Sequence, residues 1–81
     1  MTIAVKLFAA ARDLAGAGEV DLELGPSPTI ADARRALVEQ CPMLGPLANR
    51  SLLAVNAEYA NDEQTLAAGD EVALIPPVSG G

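Results

Sequence analysis

The last six residues of the chain offer the most specific chemistry in the sequence. They are Pro76-Pro77-Val78-Ser79-Gly80-Gly81, and none of them carries a charged side chain. Glycine has no side chain, so a Gly-Gly end can enter a channel that excludes other residues. The two prolines favour an extended chain, and six residues then reach at most about 20 Å. The pattern predicts that the carboxylate of Gly81 is the working group; an ordinary frayed end is the alternative.

A carboxylate must be activated before it can transfer its acyl group. It is ionised at neutral pH, and oxide would be a poor leaving group. Adenylation with ATP makes AMP the leaving group. A sulfur nucleophile can then leave a thiocarboxylate, or an amine can form an isopeptide bond. The same end therefore fits a sulfur carrier and a protein modifier, and an interaction domain with an idle tail is a third alternative.

The other residues give no indication that the chain catalyses a reaction by itself. The sequence has no histidine, which excludes histidine metal sites and Ser-His or Cys-His nucleophile pairs. The one cysteine, Cys41, ends a predicted helix on its apolar side, so we interpret it as a small buried core residue. We expect a non-catalytic chain with no bound cofactor and no metal site.

Composition narrows the choice of partners and compartment. Eleven acidic residues against five basic ones give a formal charge of −6, which disfavours nucleic acid and favours a partner with a basic face. No apolar stretch approaches the roughly 18 to 20 residues that span a bilayer, so no membrane contact is expected. The start of the chain lacks a secretory pattern, and a single cysteine cannot form an internal disulfide. The expected location is the cytoplasm.

Hydrophobic periodicity predicts the order β, β, α, β, β, β, with a short helix after the first strand. Thr29 and Asp32 predict a capping box at the start of the main helix, and Pro42 stops that helix. Residues 43–50 are predicted to be a loop with at most one helical turn. The predicted elements are strands over residues 2–8, 19–24, 52–55, 58–60 and 71–75, and helices over residues 9–15 and 30–41.

One helix across one face of a mixed sheet would bury all of these apolar stripes together. The first and last strands are the natural central neighbours, paired in parallel. The predicted fold class is therefore α+β, a β-grasp (ubiquitin-like) roll, with a domain over residues 1–75 and an extended tail over residues 76–81.

Alternation also predicts an apolar cluster on the outer face of the sheet. Phe8 shares that face with Lys6, and Ile75 shares it with Ala73. Tyr59 is a candidate third member from the short fourth strand. Clustered exposed apolar side chains usually mark contacts, so we interpret this face as a partner interface. The alternatives are that loops cover these residues or that their exposure is incidental.

Three segments of the chain carry a resemblance to a known family. They are Val5-Lys-Leu-Phe-Ala-Ala-Ala-Arg-Asp-Leu-Ala-Gly16, Ala54-Val-Asn-Ala-Glu-Tyr59 and Gly69-Asp-Glu-Val-Ala-Leu-Ile-Pro-Pro-Val-Ser-Gly-Gly81. Together they resemble the small subunit of molybdopterin synthase, the MoaD family. The likeness covers essentially the whole chain, and its closing motif is quite specific. Two departures are Tyr59, where an aliphatic residue can occur, and Ala57, where a turn glycine is frequent.

The resemblance implies a sulfur carrier of β-grasp fold. Gly81 would be adenylated by a MoeB-like activating enzyme that uses ATP, and then converted to a thiocarboxylate. The tail, Pro76, Pro77, Val78, Ser79 and Gly80, would enter the active site of a MoaE-like large subunit, which supplies the catalytic side chains. Sulfur would pass there to cyclic pyranopterin monophosphate within a heterotetramer.

By position, the resemblance also implies that Phe8, Arg12, Tyr59 and Ile75 contact the large subunit. A sulfur carrier for thiamine or for tRNA thiolation, and a ubiquitin-like protein modifier, share the fold and the Gly-Gly end and remain alternatives.

Overall fold

The strands and helices follow the residue patterns of the sequence closely. The computed structural model describes residues 1–77. Its elements are β1 (Thr2–Leu7), α1 (Ala9–Ala15), β2 (Glu19–Glu23), α2 (Ile30–Gln40), a 3₁₀ turn (Pro42–Leu44), α3 (Gly45–Arg50), β3 (Leu52–Val55), β4 (Glu58–Ala60) and β5 (Val72–Ile75).

The five strands form one mixed sheet in the order β2-β1-β5-β3-β4. β1 and β5 pair in parallel at its centre, and every other pairing is antiparallel. The first and last strands are thus neighbours, and the connection between them passes through α2 and the β3–β4 hairpin. The predicted β-grasp roll is confirmed.

The inner face of the sheet and the helices share one hydrophobic core. The inward residues alternate along β1, β2 and β5, as the two-residue period predicts. Ile30, Ala33 and Leu37 of α2 are at most 2% exposed and belong to the same cluster. The core residues on the strands are Ile3, Val5, Leu7, Val20, Leu22, Leu53, Val55, Val72 and Leu74.

The predicted capping box fixes the start of α2. The Asp32 N–H donates to Thr29 Oγ1 over 3.3 Å, and the Thr29 N–H donates to Asp32 Oδ2 over 2.9 Å. Both bonds satisfy backbone donors that the first helical turn leaves unpaired. The hydrogen bond from Thr29 also holds the pKa of Asp32 below its usual value, with a smaller contribution from Arg35.

Two of the sequence predictions in the middle of the chain are wrong. Residues 43–50 are helical over most of their length, because Leu44, Leu47 and Ala48 recur at helical spacing and all are buried. Cys41 is half-buried rather than fully buried, since it follows the last turn of α2 as its C-cap and packs at the edge of the core.

Within residues 1–77, none of the helices is both long and apolar enough to cross a membrane.

Candidate functional site

The outer face of the sheet carries one row of residues that crosses all five strands. Strand register places Glu19, Lys6, Ala73, Ala54 and Tyr59 side by side in this row. Directly paired residues point to the same side of a sheet, so these side chains share one face. The two central positions are alanines, which leaves the middle of the face low between larger neighbours.

A shallow groove of about 320 Å³ follows from that arrangement. Phe8 is 48% exposed and Tyr59 is 70% exposed at its sides. The structure therefore brings Phe8, Tyr59 and Ile75 together, as alternation predicts. Their contact with a partner remains a prediction. The residues that line this outer-face groove are Lys6, Phe8, Ala54, Ala57, Tyr59, Glu71, Ala73 and Ile75.

Leu52 extends the apolar surface and was missed by the sequence analysis. It is paired with Ile75 in the β3–β5 register and is 54% exposed. The pattern that could have found it is simple: Leu53 and Val55 point inward, so Leu52 points outward with Ala54. Exposed apolar surface thus continues from the groove toward the start of β3.

Arg12 is the predicted interface residue that does not join the groove. It lies in α1 and is exposed, and it is not among the groove-lining residues. Its guanidinium lies beside the backbone of Gly18, where a Cβ atom would lie 3.7 Å from Nε. Its role in binding a partner stays a prediction from the resemblance.

The tail begins at the rim of the groove. β5 ends at Ile75, which lines the groove, and it is followed by Pro76, half-buried, and Pro77, exposed. Val78, Ser79, Gly80 and Gly81 lie outside the described residues. The predictions that the tail enters a partner and that Gly81 is the acyl site therefore stay predictions.

One ion pair lies in the groove. Lys6 Nζ is 2.6 Å from Glu71 Oε1, and both side chains are partly exposed to solvent. The hydrogen bond and the negative charge of Glu71 raise the pKa of Lys6, and Glu19 adds a smaller contribution. Beyond this pair, acidic residues Glu19, Asp21 and Glu23 alternate along β2 on the same face. The face thus combines an apolar half with an acidic half.

Asn56 holds the two turns beside the groove together. Its side-chain amide donates to Asp70 Oδ1 over 3.1 Å, and its Oδ1 accepts from the Glu71 N–H over 3.0 Å. Its own N–H donates to the Glu71 carbonyl over 2.8 Å. The two bonds to Glu71 fix its backbone immediately before β5 and therefore position the partner of Lys6.

The geometry is that of an exposed, partly apolar groove at the end of β5. The fold is that of a ubiquitin-like β-grasp protein, and in the sequence its strand β5 is followed by a segment that ends in Gly-Gly. The chain belongs to the ThiS family, whose model matches residues 5–81.

Individual relatives agree on the fold and differ in their names. The chain is 39% identical to the molybdopterin synthase sulfur carrier subunit of Chlamydomonas reinhardtii, with 100% of both chains covered. It is also 39% identical to small archaeal modifier protein 1 of Haloferax volcanii, over 94% of this chain and 97% of that protein. The crystal structure of SAMP1 from Haloferax volcanii superimposes with a TM-score of 0.87 at 37% identity, covering 100% of both chains.

Proposed function

We propose that this chain is the sulfur carrier subunit of molybdopterin synthase, with the carboxylate of Gly81 as the sulfur-carrying group. The observation that carries the proposal is the exposed groove from which β5 leads directly into the Gly-Gly tail. A full-length relative of 39% identity that bears this name supports it. The chain supplies binding and the acyl group, and the catalytic side chains belong to its partners.

The chemistry proceeds in two acyl steps. A Gly81 carboxylate oxygen attacks the α-phosphate of ATP, which forms the acyl adenylate and releases pyrophosphate. Hydrosulfide then attacks the acyl carbon, AMP leaves, and loss of a proton to solvent gives the thiocarboxylate. Where the sulfur source is a persulfide, the attack gives an acyl disulfide instead, and a thiol reductant cleaves its S–S bond to release the thiocarboxylate. The thiocarboxylate sulfur is a soft nucleophile that can be delivered to cyclic pyranopterin monophosphate.

In this proposal, the chemistry requires two partner proteins. A MoeB-like enzyme uses ATP to activate Gly81, and a MoaE-like large subunit receives the tail and holds the pterin substrate. In this proposal, the groove formed by Phe8, Tyr59 and Ile75 docks on the large subunit, and the cytoplasm is the setting. The formal charge of −6 suits partners with basic surfaces around their binding sites.

Reconstitution tests the proposal directly. The purified chain is incubated with ATP, the activating enzyme and a sulfur source, and its intact mass is measured. Exchange of oxygen for sulfur adds about 16 Da, and the product should support conversion of the pterin precursor by the large subunit. Deletion of Gly81 should abolish both results. Full synthase activity with the deleted chain would disprove the proposal.

A protein modifier is the second candidate, and the relative named small archaeal modifier protein 1 favours it. Both functions begin with the same adenylate and differ in the nucleophile, which is sulfur in one case and a lysine amine in the other. Isolation of the tagged chain from cells under denaturing conditions separates them. Gly81 linked to lysines of other proteins would support the modifier, whereas a thiocarboxylate without conjugates would support the sulfur carrier.

A further inference from the structure

Lys6 is the only lysine in the sequence, and it lies close to the start of the tail. Its Cα is paired with that of Ala73, two residues before Ile75. Adjacent strands are about 4.8 Å apart and rise about 3.3 Å per residue, so the Cα atoms of Lys6 and Ile75 are about 8 Å apart. The six residues after Ile75 can span about 20 Å. An activated Gly81 therefore has enough chain to reach the Lys6 amine.

Their reaction would destroy the carrier. The neutral amine would attack the acyl carbon of the Gly81 adenylate, form an amide, release AMP and lose a proton to solvent. The product is a chain closed on itself, with no free end to accept sulfur. Two groups held on one molecule react as if at high concentration, so this side reaction needs an explicit restraint.

Glu71 provides such a restraint. Its carboxylate is 2.6 Å from the Lys6 ammonium, and Asn56 holds the Glu71 backbone through two hydrogen bonds. Glu19 lies across from Lys6 on β2 and adds a second negative charge. These carboxylates raise the pKa of Lys6, which lowers the fraction of neutral amine. Only the neutral amine is a nucleophile.

The amino group of Met1 is the other amine that could attack the activated carboxyl group, but it lies far from the start of the tail. It donates to the carbonyl of Leu24 over 2.8 Å at the start of β1. β1 and β5 run in parallel, so the start of β1 and the end of β5 lie at opposite ends of the sheet. Lys6 is therefore the amine that most needs protection.

We propose that Glu71 determines specificity: by pairing with Lys6, it protects the activated carboxyl terminus from the chain's own amine and keeps acyl transfer directed to sulfur. This inference rests on the proposed function, because it requires an activated Gly81.

The test compares four chains with the activating enzyme and ATP in the absence of a sulfur source. They are the wild type, Glu71→Gln, the double variant Glu71→Gln with Lys6→Arg, and Arg50→Lys. Intact mass detects the internal amide as a loss of about 18 Da, and peptide fragmentation locates it. Yields are expressed per AMP released, which corrects for any change in activation.

Arg50→Lys is the matched control for an unrestrained amine. Arg50 is exposed and lies just before Leu52, which pairs with Ile75 at the end of the sheet where the tail begins. Within residues 1–77 it forms no ion pair with a carboxylate, and its Nε donates to the Pro46 carbonyl. The substitution thus places an unpaired amine near the same exit.

We expect about two- to five-fold more amide at Lys6 in Glu71→Gln than in the wild type, the range for loss of an exposed ion pair. The double variant should form none at position 6, and Arg50→Lys should form an amide at the introduced lysine. Equal yields at Lys6 in the wild type and Glu71→Gln would overturn the inference. So would the absence of amide in Arg50→Lys, because no protection would then be needed.

Failure of the proposed function would look different. In that case the wild type would release no AMP, and it would gain no sulfur when a sulfur source is supplied. A separate outcome is that the wild type releases AMP and forms the thiocarboxylate normally, while Lys6 forms no more amide in Glu71→Gln than in the wild type. That result would overturn this inference and leave the proposed function intact.

Discussion

Ala57 has a backbone conformation that suits glycine better than alanine. With Asn56 it forms the two-residue turn between β3 and β4, and φ is 51° at Asn56 and 70° at Ala57. Asparagine tolerates left-handed backbone, whereas the Cβ of alanine approaches the following carbonyl. The predicted strands over residues 52–55 and 58–60 leave these two residues as the connection, and Ala57 departs from the turn glycine that is frequent in the family. The turn forms because the pairing of β3 with β4 and the Asn56 bonds hold it.

Replacing Ala57 with glycine should stabilise the fold. Left-handed backbone costs alanine about 1 to 2 kcal/mol, and the greater freedom of glycine in the unfolded chain offsets about 0.5 to 1 kcal/mol. The net gain of about 0.5 to 1 kcal/mol should raise Tm by about 2 to 8 °C in calorimetry. Ala68→Gly is the control at an exposed alanine with ordinary φ, where Tm should fall. A lower Tm for Ala57→Gly would show that the turn is not strained.

Single residues differ in how well the sequence predicts their place. Phe8 and Ile75 were found because alternation along a strand is a local rule that does not depend on the partner strand. Leu52 obeys the same rule and was overlooked. The bonds from Asn56 to Asp70 and Glu71 could not be predicted, because they join two turns that are far apart in the sequence.

At the scale of the element, α2 owes its start to the capping box. The native pKa of Asp32 is lowered chiefly by the hydrogen bond from Thr29. A carboxylate with a lowered native pKa stabilises the fold above its unfolded pKa, near 3.8. That contribution is lost as the pH falls through the lower native value.

Asp32→Asn should therefore make the free energy of unfolding depend less on pH in the acid range. Asparagine keeps a side-chain oxygen that can accept from Thr29, so the helix start survives and the titration is removed. Urea unfolding followed by circular dichroism between pH 2 and 6 measures the effect. The stability of the variant should fall less steeply than that of the wild type below about pH 4. Parallel profiles for the two chains would contradict the assignment.

The bounds of the helices and strands were predictable where they depend only on neighbouring residues in the sequence. The bounds of α1, β3 and β4 match the structure, and β5 differs only in that Glu71 precedes it. α3 was missed because Gly45 and Pro46 resemble a loop. Proline is tolerated in the first turn of a helix, however, and the burial of Leu47 and Ala48 holds that helix in place.

At the scale of the whole molecule, the outer-face groove should govern binding to the large subunit. Phe8→Asp places a charge on a surface that loses water in the complex, so affinity should fall by about 2 kcal/mol, roughly 30-fold in Kd. The fold should survive, because Phe8 is the N-cap of α1 and aspartate is a good N-cap residue. Titration calorimetry against the large subunit provides the measurement.

Leu14→Asp is the matched control for that experiment. Leu14 is 45% exposed, close to the value for Phe8, but it lies in α1 and does not line the groove. Its substitution should leave Kd within a few-fold of the wild type. An equal loss of affinity in both variants would mean that net charge, rather than the groove, controls binding.

Gly80→Val tests the tail separately from the groove. A β-branched side chain should block entry into a narrow channel, so sulfur transfer should be lost. The groove is untouched, and Tm should not change if residues 76–81 act apart from the folded domain. A clear drop in Tm would instead show that the tail packs against the body.

The central place of β5 has a consequence for biosynthesis. Among residues 1–77, the strand that joins the two halves of the sheet is also the last in sequence, so the ribosome synthesises it after the other four. A nascent chain that ends before Val72 lacks the strand that pairs with both β1 and β3, so the two halves of the sheet can join only after translation has passed Ile75. Prematurely terminated chains would therefore not complete the fold. Chains that lack the C-terminal tail would then not compete with full-length chains for the partner's binding site.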